Sequence, residues 1–494
     1  MSDLHRVRLT RLPRMASIAT AIAISLSACS GGGANVQPNY TSPPPPSTAP
    51  TPPPPVIYSY PEYNQLVPTG ALAAQQAGYT GKGVNIGVLD SGADPSILGL
   101  QGRLTWFNSY LANGNNTANQ NDLSAANDVY GHGTVIADIV GGAAQGSGSG
   151  SFVGGVAPDS NLYIAQVCDN TGNCTPYSKA YQDLVSNGVH LFNQSWGSLT
   201  STFATTADAN GYATSMGPVY EGYGTGNVYV WAAGNNPTSS SDITVQALAP
   251  EFTPALQPQW LVAVNVQVNS AGQVTTLDPT SAQCGAAAQW CLAAPGAAMT
   301  PPVPGTKFDT GGSDGTSDST AVITGVSAQI WQAFPWFSPG NLTDTILTTA
   351  MPLGTGPYPN AVYGWGEVNA AKAVDGPARF AFGTFNADVG SDSGTFGNAI
   401  GGSGGLALTG TTGTLTLSGA DTYSGGTSVA SGNLWLSGSV AGNVTLSGGS
   451  LGGPGTVNGS ATNSGGTLIS QAAVGGPGLT ITGNYSASGG STTA

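Results

Sequence analysis

Four apolar runs, each stopped abruptly by polar or glycine residues, constrain the fold of this chain more than any total does. They are "GVNIGVLD" ending at Asp90, "NLYIAQVCD" at Asp169, "VHLFNQSWG" at Gly197 and "VYVWAAGN" at Asn235. A strand with one wet face alternates apolar and polar residues, whereas an unbroken apolar strand is covered on both faces. Helical patterns lie between these runs. The expected core is therefore α/β, a mostly parallel sheet with helices on both faces. In such sheets functional groups collect beyond the carboxyl ends of the strands, which sets Asp90, Ser195 and Asn235 along one rim.

At 494 residues the chain exceeds what one core usually holds, so more than one unit is expected. The first 28 residues read as an export signal: Arg6, Arg8, Arg11 and Arg14 precede an uncharged run from Met15 to Ala28, shorter than the roughly 20 apolar residues of a membrane span. Leu26, Ser27, Ala28 and Cys29 resemble the lipobox of bacterial lipoproteins, which implies a lipid on Cys29 and membrane association through it. Residues 29–55 are rich in proline and serine and form a tether. The globular part spans 56–382. From 383 to 494 charge almost vanishes and "LTLSG", "LWLSG" and "VTLSG" recur, the period of stacked β rungs.

Five cysteines is an odd number for an exported chain. With Cys29 set aside for lipid, the other four fall into close pairs, Cys168 with Cys174 and Cys284 with Cys291, and two local disulfides are expected in an oxidising compartment. The formal net charge of −14 argues against nucleic acid as a partner, since phosphate binding needs a basic surface. It suits solubility outside the cell.

A general base working near neutral pH is most often histidine, and the chain has three. His5 falls in the signal. His190 sits within a strand-like run, where packing or a strand-end hydrogen bond is its expected role. His132, in "YGHGTVIADIVGG", opens a helix whose apolar face is Val135, Ile136, Ile139 and Val140, and its flanking glycines are read as room for a substrate. Asp90, at the end of a buried strand, suits a carboxylate that fixes the tautomer of such a histidine; the plain alternative is a turn residue. In "SDGTSDSTAVITG", Ser317 precedes apolar positions at helical spacing, so it is either a nucleophile at a helix start or an N-cap.

Taken together, "VLDSG" with Asp90, "GHGT" with His132 and "GTS" with Ser317 resemble the subtilisin-like serine proteases, the subtilases, in their Asp, His, Ser order. "GGVAPDSNLYIAQV" resembles the strand that follows the histidine helix in that family. The resemblance implies a subtilisin-like sheet and hydrolysis of protein or peptide substrates with no cofactor and no metal in the chemistry. It implies catalytic roles for Asp90, His132 and Ser317. "WAAGNN" resembles the segment supplying the oxyanion-hole amide, here Asn235, with the Ser317 N–H as second donor. "NQSWG" resembles the stretch that pairs with bound peptide, implying substrate contacts at Ser195, Trp196 and Gly197. One departure stands out. After the serine come Asp318, Ser319, Thr320 and Ala321, where the family usually has small or apolar residues and then a proline. A carboxylate beside the nucleophile favours a rival expectation, an inactive subtilase fold serving as a surface adhesin or scaffold. A serine-carboxyl peptidase would need a glutamate base and an aspartate in the oxyanion hole; His132 and Asn235 speak against it.

"AVYGWGEVNAAKAVDGPARF", the cysteine pair before "LAAPG", and "LTLSGADTYSGGTSVASGNL" resemble the subtilase-type autotransporter proteases of Gram-negative bacteria, the last of them the autotransporter-associated strand repeat near 415–434. That resemblance implies an exported protein at the cell surface or outer membrane, with the protease leading into a β-helical, passenger-like segment. It also implies a C-terminal membrane β-barrel, and residues 383–494 lack the aromatic girdles of one. The expectation is a barrel beyond residue 494, encoded elsewhere, or lost. No folded propeptide is expected in the short tether.

Overall fold

The computed structural model describes residues 65–111, 121–128, 130–145, 152–298, 300–309, 311–470 and 478–493. The expected signal and tether, with Cys29, lie outside the described residues. Eight strands form the central sheet: β1 Asn85–Asp90, β2 Leu104–Ser109, β3 Asn161–Gln166, β4 Leu191–Gln194, β5 Val228–Ala232, β6 Trp260–Val268, β7 Val274–Leu277 and β8 Cys291–Pro295. Their order is β2-β3-β1-β4-β5-β6; β6 then pairs with β8 in parallel and with β7 antiparallel, and every other pairing is parallel. From β1 the chain crosses to β2 at the edge, returns through β3 between the two, and then restarts with β4 on the other side of β1. That reversal opens a crevice at the carboxyl ends of β1 and β4.

Period-two alternation sends successive side chains to opposite faces. Ile86, Val88, Val228, Val230, Leu261 and Ala263 enter one core; Leu89, Tyr229, Trp231, Trp260 and Val262 enter the other. Helices α1 (His132–Gly141), α4 (Thr316–Ala333) and α5 (Pro339–Thr348) cover the first face, and α2 (Ser178–Ser186) and α3 (Thr206–Glu221) the second. α4 is buried along most of its length and crosses β4, β5, β6 and β8. It lies so close to the turn before β3 that a Cβ on Gly325 would stand 2.5 Å from Val156 Cβ.

The apolar runs outlast the strands. β3 stops at Gln166, before the Asp169 that ends its run, because a disulfide joins Cys168 to Cys174 and Asp169 Oδ1 accepts from Thr171 N (2.8 Å) and Asn173 N (3.1 Å), turning the chain back. Cys284 and Cys291 are bonded likewise at the foot of β8.

Beyond the sheet the chain winds into a parallel β-helix. One stack runs Phe385–Asp388, Leu406–Thr409, Thr427–Val429, Val444–Leu446, Ala461–Asn463 and Tyr485–Ala487; a second runs Ser393–Phe396, Thr414–Leu417, Asn433–Leu436, Ser450–Gly452, Thr467–Leu468 and Thr492–Thr493. The third face opens with Arg379–Phe380 pairing Gly401–Gly402, so the winding starts four residues before the change in composition at 383. Phe380 is the reason, since its fully buried ring packs on Phe385 (5.2 Å between centroids) and Tyr423 (4.9 Å). Inward leucines stack in register, Leu415 on Leu434 and Leu434 on Leu451. The first rungs seat on the α/β part through Phe334, Trp336, Phe337, Phe385 and Phe396, which makes one core continuous across both.

Candidate active site

Asp90 closes β1 and is 1% exposed. Its carboxylate can only accept, so His132 Nδ1–H donates to Oδ1 at 2.7 Å, alongside Ser91 N at 2.7 Å. The imidazole therefore carries its proton on Nδ1 and leaves Nε2 as a lone-pair base. Asp90 Oδ2 is buried with no hydrogen-bond partner, so the carboxylate is committed to this side.

The start of α1 is fixed by residues that the sequence did not single out. Asp128 Oδ1 accepts from Gly131 N (2.8 Å) and Tyr130 N (3.1 Å), and its Oδ2 from Thr134 N and Oγ1 (both 2.8 Å). Ser91 Oγ accepts from Gly133 N at 2.9 Å. The glycines flanking His132 serve the chain, which corrects the reading of them as room for substrate. A Cβ on Gly131, at φ 92°, would stand 2.3 Å from Thr306 Oγ1, and one on Gly133 would stand 2.2 Å from Gly92 O. Close approach of helix, strand end and the 300–309 loop demands them.

The His132 side chain is 18% exposed, with Phe308 and Tyr130 at its edges (ring centroids 6.1 and 6.5 Å away). Lys307 caps the Tyr130 ring at 4.1 Å and bonds its hydroxyl at 2.5 Å. Burial pulls the imidazole pKa down, yet Asp90, by charge and hydrogen bond, and then Asp318, by charge, more than offset it against the opposition of Lys307. The net shift is upward from the ordinary histidine value.

Ser317 lies in the first turn of α4. The cap of that helix is Gly315, extended at φ 165°, so Ser317 is not the N-cap. Its N–H falls among those for which a helix has no internal acceptor. Its hydroxyl and main chain form a reciprocal pair with Ser195: Ser317 Oγ donates to the Ser195 carbonyl (2.9 Å) and Ser195 Oγ to the Ser317 carbonyl (2.7 Å). Asn193 Nδ2 donates to Ser195 Oγ (2.9 Å), and its Oδ1 accepts from Thr324 Oγ1 (3.0 Å), tying β4 to α4.

Asn235, just beyond β5, has its amide oxygen occupied by Thr316 N (3.0 Å) and Thr316 Oγ1 (3.1 Å). Nδ2 is thereby turned away from Thr316, and a Cβ on Gly315 would meet it at 3.1 Å. Trp196 and Gly197 leave the sheet after β4. Trp196 Nε1 donates to the Leu89 carbonyl (2.9 Å), and its ring packs edge-on against Trp231 (5.2 Å). Beside it opens a cavity of about 200 Å³ lined by Tyr181, Trp196, Tyr212, Met216 and Trp231 among others. His190 lies elsewhere, its Nδ1 2.9 Å from Asn227 Oδ1 at the start of β4.

Asp318 points inward and is 1% exposed. Burial raises its carboxyl to about 7, against the pull of His132 and a Ser313 hydrogen bond.

The Subtilase family profile matches residues 81–366. The chain is 30% identical over 440 residues to the Neisserial autotransporter lipoprotein NalP of Neisseria meningitidis serogroup B, an alignment covering 74% of this chain and 40% of that protein. Against the Extracellular serine protease of Serratia marcescens it is 27% identical over 485 residues, covering 78% of this chain and 44% of the relative. Subtilisin E of Bacillus subtilis is 29% identical over 323 residues, with 63% and 72% covered. The chain thus spans about two fifths of the length of the first two relatives. With the profile matched over more than half of its residues, from the turn before β1 to the segment after β8, the chain belongs to the subtilase family of serine peptidases.

Proposed function

We propose that the chain is an exported serine endopeptidase in which Asp90, His132 and Ser317 are the catalytic residues. The observation that carries this is the buried 2.7 Å contact of Asp90 with His132 Nδ1 on α1, the helix packed against α4, whose first turn holds Ser317. In this reading Ser317 Oγ turns about χ1 from the Ser195 carbonyl to His132 Nε2, a step between staggered wells, since catalytic hydrogen bonds often tighten only with substrate bound. Nε2 takes the proton as Oγ attacks the peptide carbonyl, Asp90 stabilises the imidazolium, and His132 then returns the proton to the leaving amine. Asn235 Nδ2, held by Thr316, and the Ser317 N–H receive the oxyanion. Ser195, Trp196 and Gly197, free of the sheet, offer an edge to an extended protein or peptide substrate. The aromatic cavity beside Trp196 suits a bulky apolar side chain of that substrate.

Export rests on the basic and apolar first 28 residues, together with relatives named as an autotransporter lipoprotein and as extracellular. Lipid on Cys29 with residues 29–55 as a tether, and placement at the cell surface, belong to the same proposal.

The rival reading, an inert scaffold or adhesin, is favoured by the carboxyl of Asp318 next to the nucleophile. A fluorophosphonate probe separates them, because only an activated serine is labelled. Wild-type protein is expected to label at neutral to alkaline pH and Ser317→Ala not. Equal labelling of both, or of neither, would overturn the assignment. Asn235→Ala should lower kcat by about 10²- to 10³-fold, the loss that follows removal of the oxyanion-hole amide from a subtilisin, a member of the same family.

A further inference from the structure

Between β8 and α4 the chain makes a loop whose residues 300–309 fold onto the His132 side of the site. Ala298 and Ser313 clip its base together, each N–H donating to the other's carbonyl (2.9 and 3.0 Å). Val303, 1% exposed, anchors the loop in the core; its N–H donates to the Phe308 carbonyl (2.9 Å), while Phe308 N donates to Thr306 Oγ1 (3.1 Å). The turn is therefore self-bracing, with Phe308 beside the imidazole and Lys307 exposed.

The Lys307 ammonium stands over two rings, 4.1 Å from the Tyr130 centroid and 5.1 Å from that of Phe308, the same rings that flank His132. Tyr130 is backed in turn by the disulfide loop 168–174, since a Cβ on Gly172 would stand 2.6 Å from its Cζ. Neutral groups thus hold the cation in place and leave its charge uncompensated. The ion pairs among the described residues are His132 with Asp90 and Lys179 with Asp183, so Lys307 makes none, not even with the adjoining Asp309. Other acids of this rim are already bonded: Asp90 to His132, Asp318 to Ser313 and Asp314 to Asn265. Of the three donors of the ammonium, the Tyr130 hydroxyl takes one.

We propose that Lys307 is a specificity-determining residue that recognises a carboxylate side chain of the substrate, in the half that leaves as the amine. This rests on the serine peptidase reading and adds a substrate class to it. The side follows from the chemistry: His132 protonates the leaving nitrogen, so the residues after the cleaved bond pass the imidazole and the rings beside it. An aspartate or glutamate among the first two of them comes within reach of the ammonium, each extended residue advancing about 3.4 Å. A chain of formal net charge −14 repels acidic peptides at long range, and a fixed cation at this rim is the group that admits them.

The test digests a randomised peptide library with full-length protein and maps the cuts by mass spectrometry. At the first two positions beyond the cut, glutamate is expected to exceed its neutral isostere glutamine by about two- to fivefold, the range of an exposed ion pair. The ratio is taken within one digest and so does not depend on total activity. Lys307→Met keeps an apolar stem on the rings and should bring the ratio to one, whereas Lys307→Glu should favour lysine over glutamine there. Raising salt from about 0.05 M to about 1 M should erase the wild-type ratio, which a preference for shape would survive. A ratio of one in the wild type at low salt, or a ratio that Lys307→Met leaves intact, overturns the proposal. Fluorophosphonate labelling tells that failure from failure of the peptidase reading: labelled protein that cuts without acid preference sinks the role of Lys307 alone, while unlabelled protein that makes no cuts sinks both.

Discussion

At the scale of single residues, the candidate catalytic side chains are oriented by groups outside the proposed triad. Asp128 satisfies four donors at the start of α1, two on each oxygen, and so fixes where the His132 ring emerges. Replacing it with alanine removes a cap worth about 1–2 kcal/mol and frees a turn that aims the imidazole. A displacement near 1 Å is enough to cost about 10²-fold in rate. Asp128→Ala is therefore expected to lower kcat/KM by about ten- to a hundredfold while Tm falls by only a few degrees. Asp128→Asn should lie between, because its Nδ2 would face the Thr134 N–H, donor against donor, while Oδ1 still serves Gly131. Unchanged kcat/KM in the alanine variant would show that the loop holds itself. The sequence could not reveal Asp128, Asn193 or Thr316 as supports, since each works across a contact that exists only once strand and helix meet. Asp90, His132, Asn235 and Ser317 stand out as candidates because each lies in a short string where an apolar run or helical pattern meets a turn.

At the scale of elements, the strands were readable because unbroken apolar runs belong to a sheet covered twice. What could not be read was where each strand ends, as with the disulfide that turns the chain after β3, and how the two parts join. Composition puts a boundary at 383, whereas packing ignores it: Phe396, from the first rung, stacks with Trp336 (6.0 Å) and meets Phe334 edge-on (5.5 Å), and Gly376 is so close that its Cβ would touch the Phe396 ring at 2.5 Å. A ring placed there links the β-helix to the α/β core. Phe396→Ala should destabilise the chain by about 3–5 kcal/mol, the usual cost of deleting a buried phenyl. The loss should appear as a lowered midpoint of the transition that also reports the α/β part, read from the fluorescence of its buried tryptophans. If a separate early transition appears instead and the tryptophan signal keeps its midpoint, the two parts do not share a core.

At the scale of the whole molecule, buried acids decide how stability responds to pH. Burial lifts Asp344 and Glu367 to about 8, Asp318 to about 7 and Asp421 to about 6, and pushes Asp138 well above its ordinary value. Each raised pKa means that the folded chain keeps a proton which the unfolded chain has already lost. Stability from these groups is fully present below the ordinary carboxylate range, falls as pH rises, and is gone once pH passes the folded values. Asp169, Asp242 and Asp278 act in the opposite sense: burial raises each, hydrogen bonds from neighbouring hydroxyl and N–H groups outweigh it, and their support fades only as pH falls through the depressed values. Growing negative charge on an already acidic chain works in the same direction as the buried acids. The urea midpoint of full-length Ser317→Ala protein, a variant chosen to prevent self-digestion, should therefore be higher near about pH 5 than near about pH 8.5, by the equivalent of a few kcal/mol. Asp344→Asn together with Glu367→Gln should flatten that slope, because neutral amides in those places have no proton to lose. A midpoint that rises between the two pH values, or a slope the double variant leaves intact, would mean that these carboxyls reach water in the folded chain and ionise there without penalty.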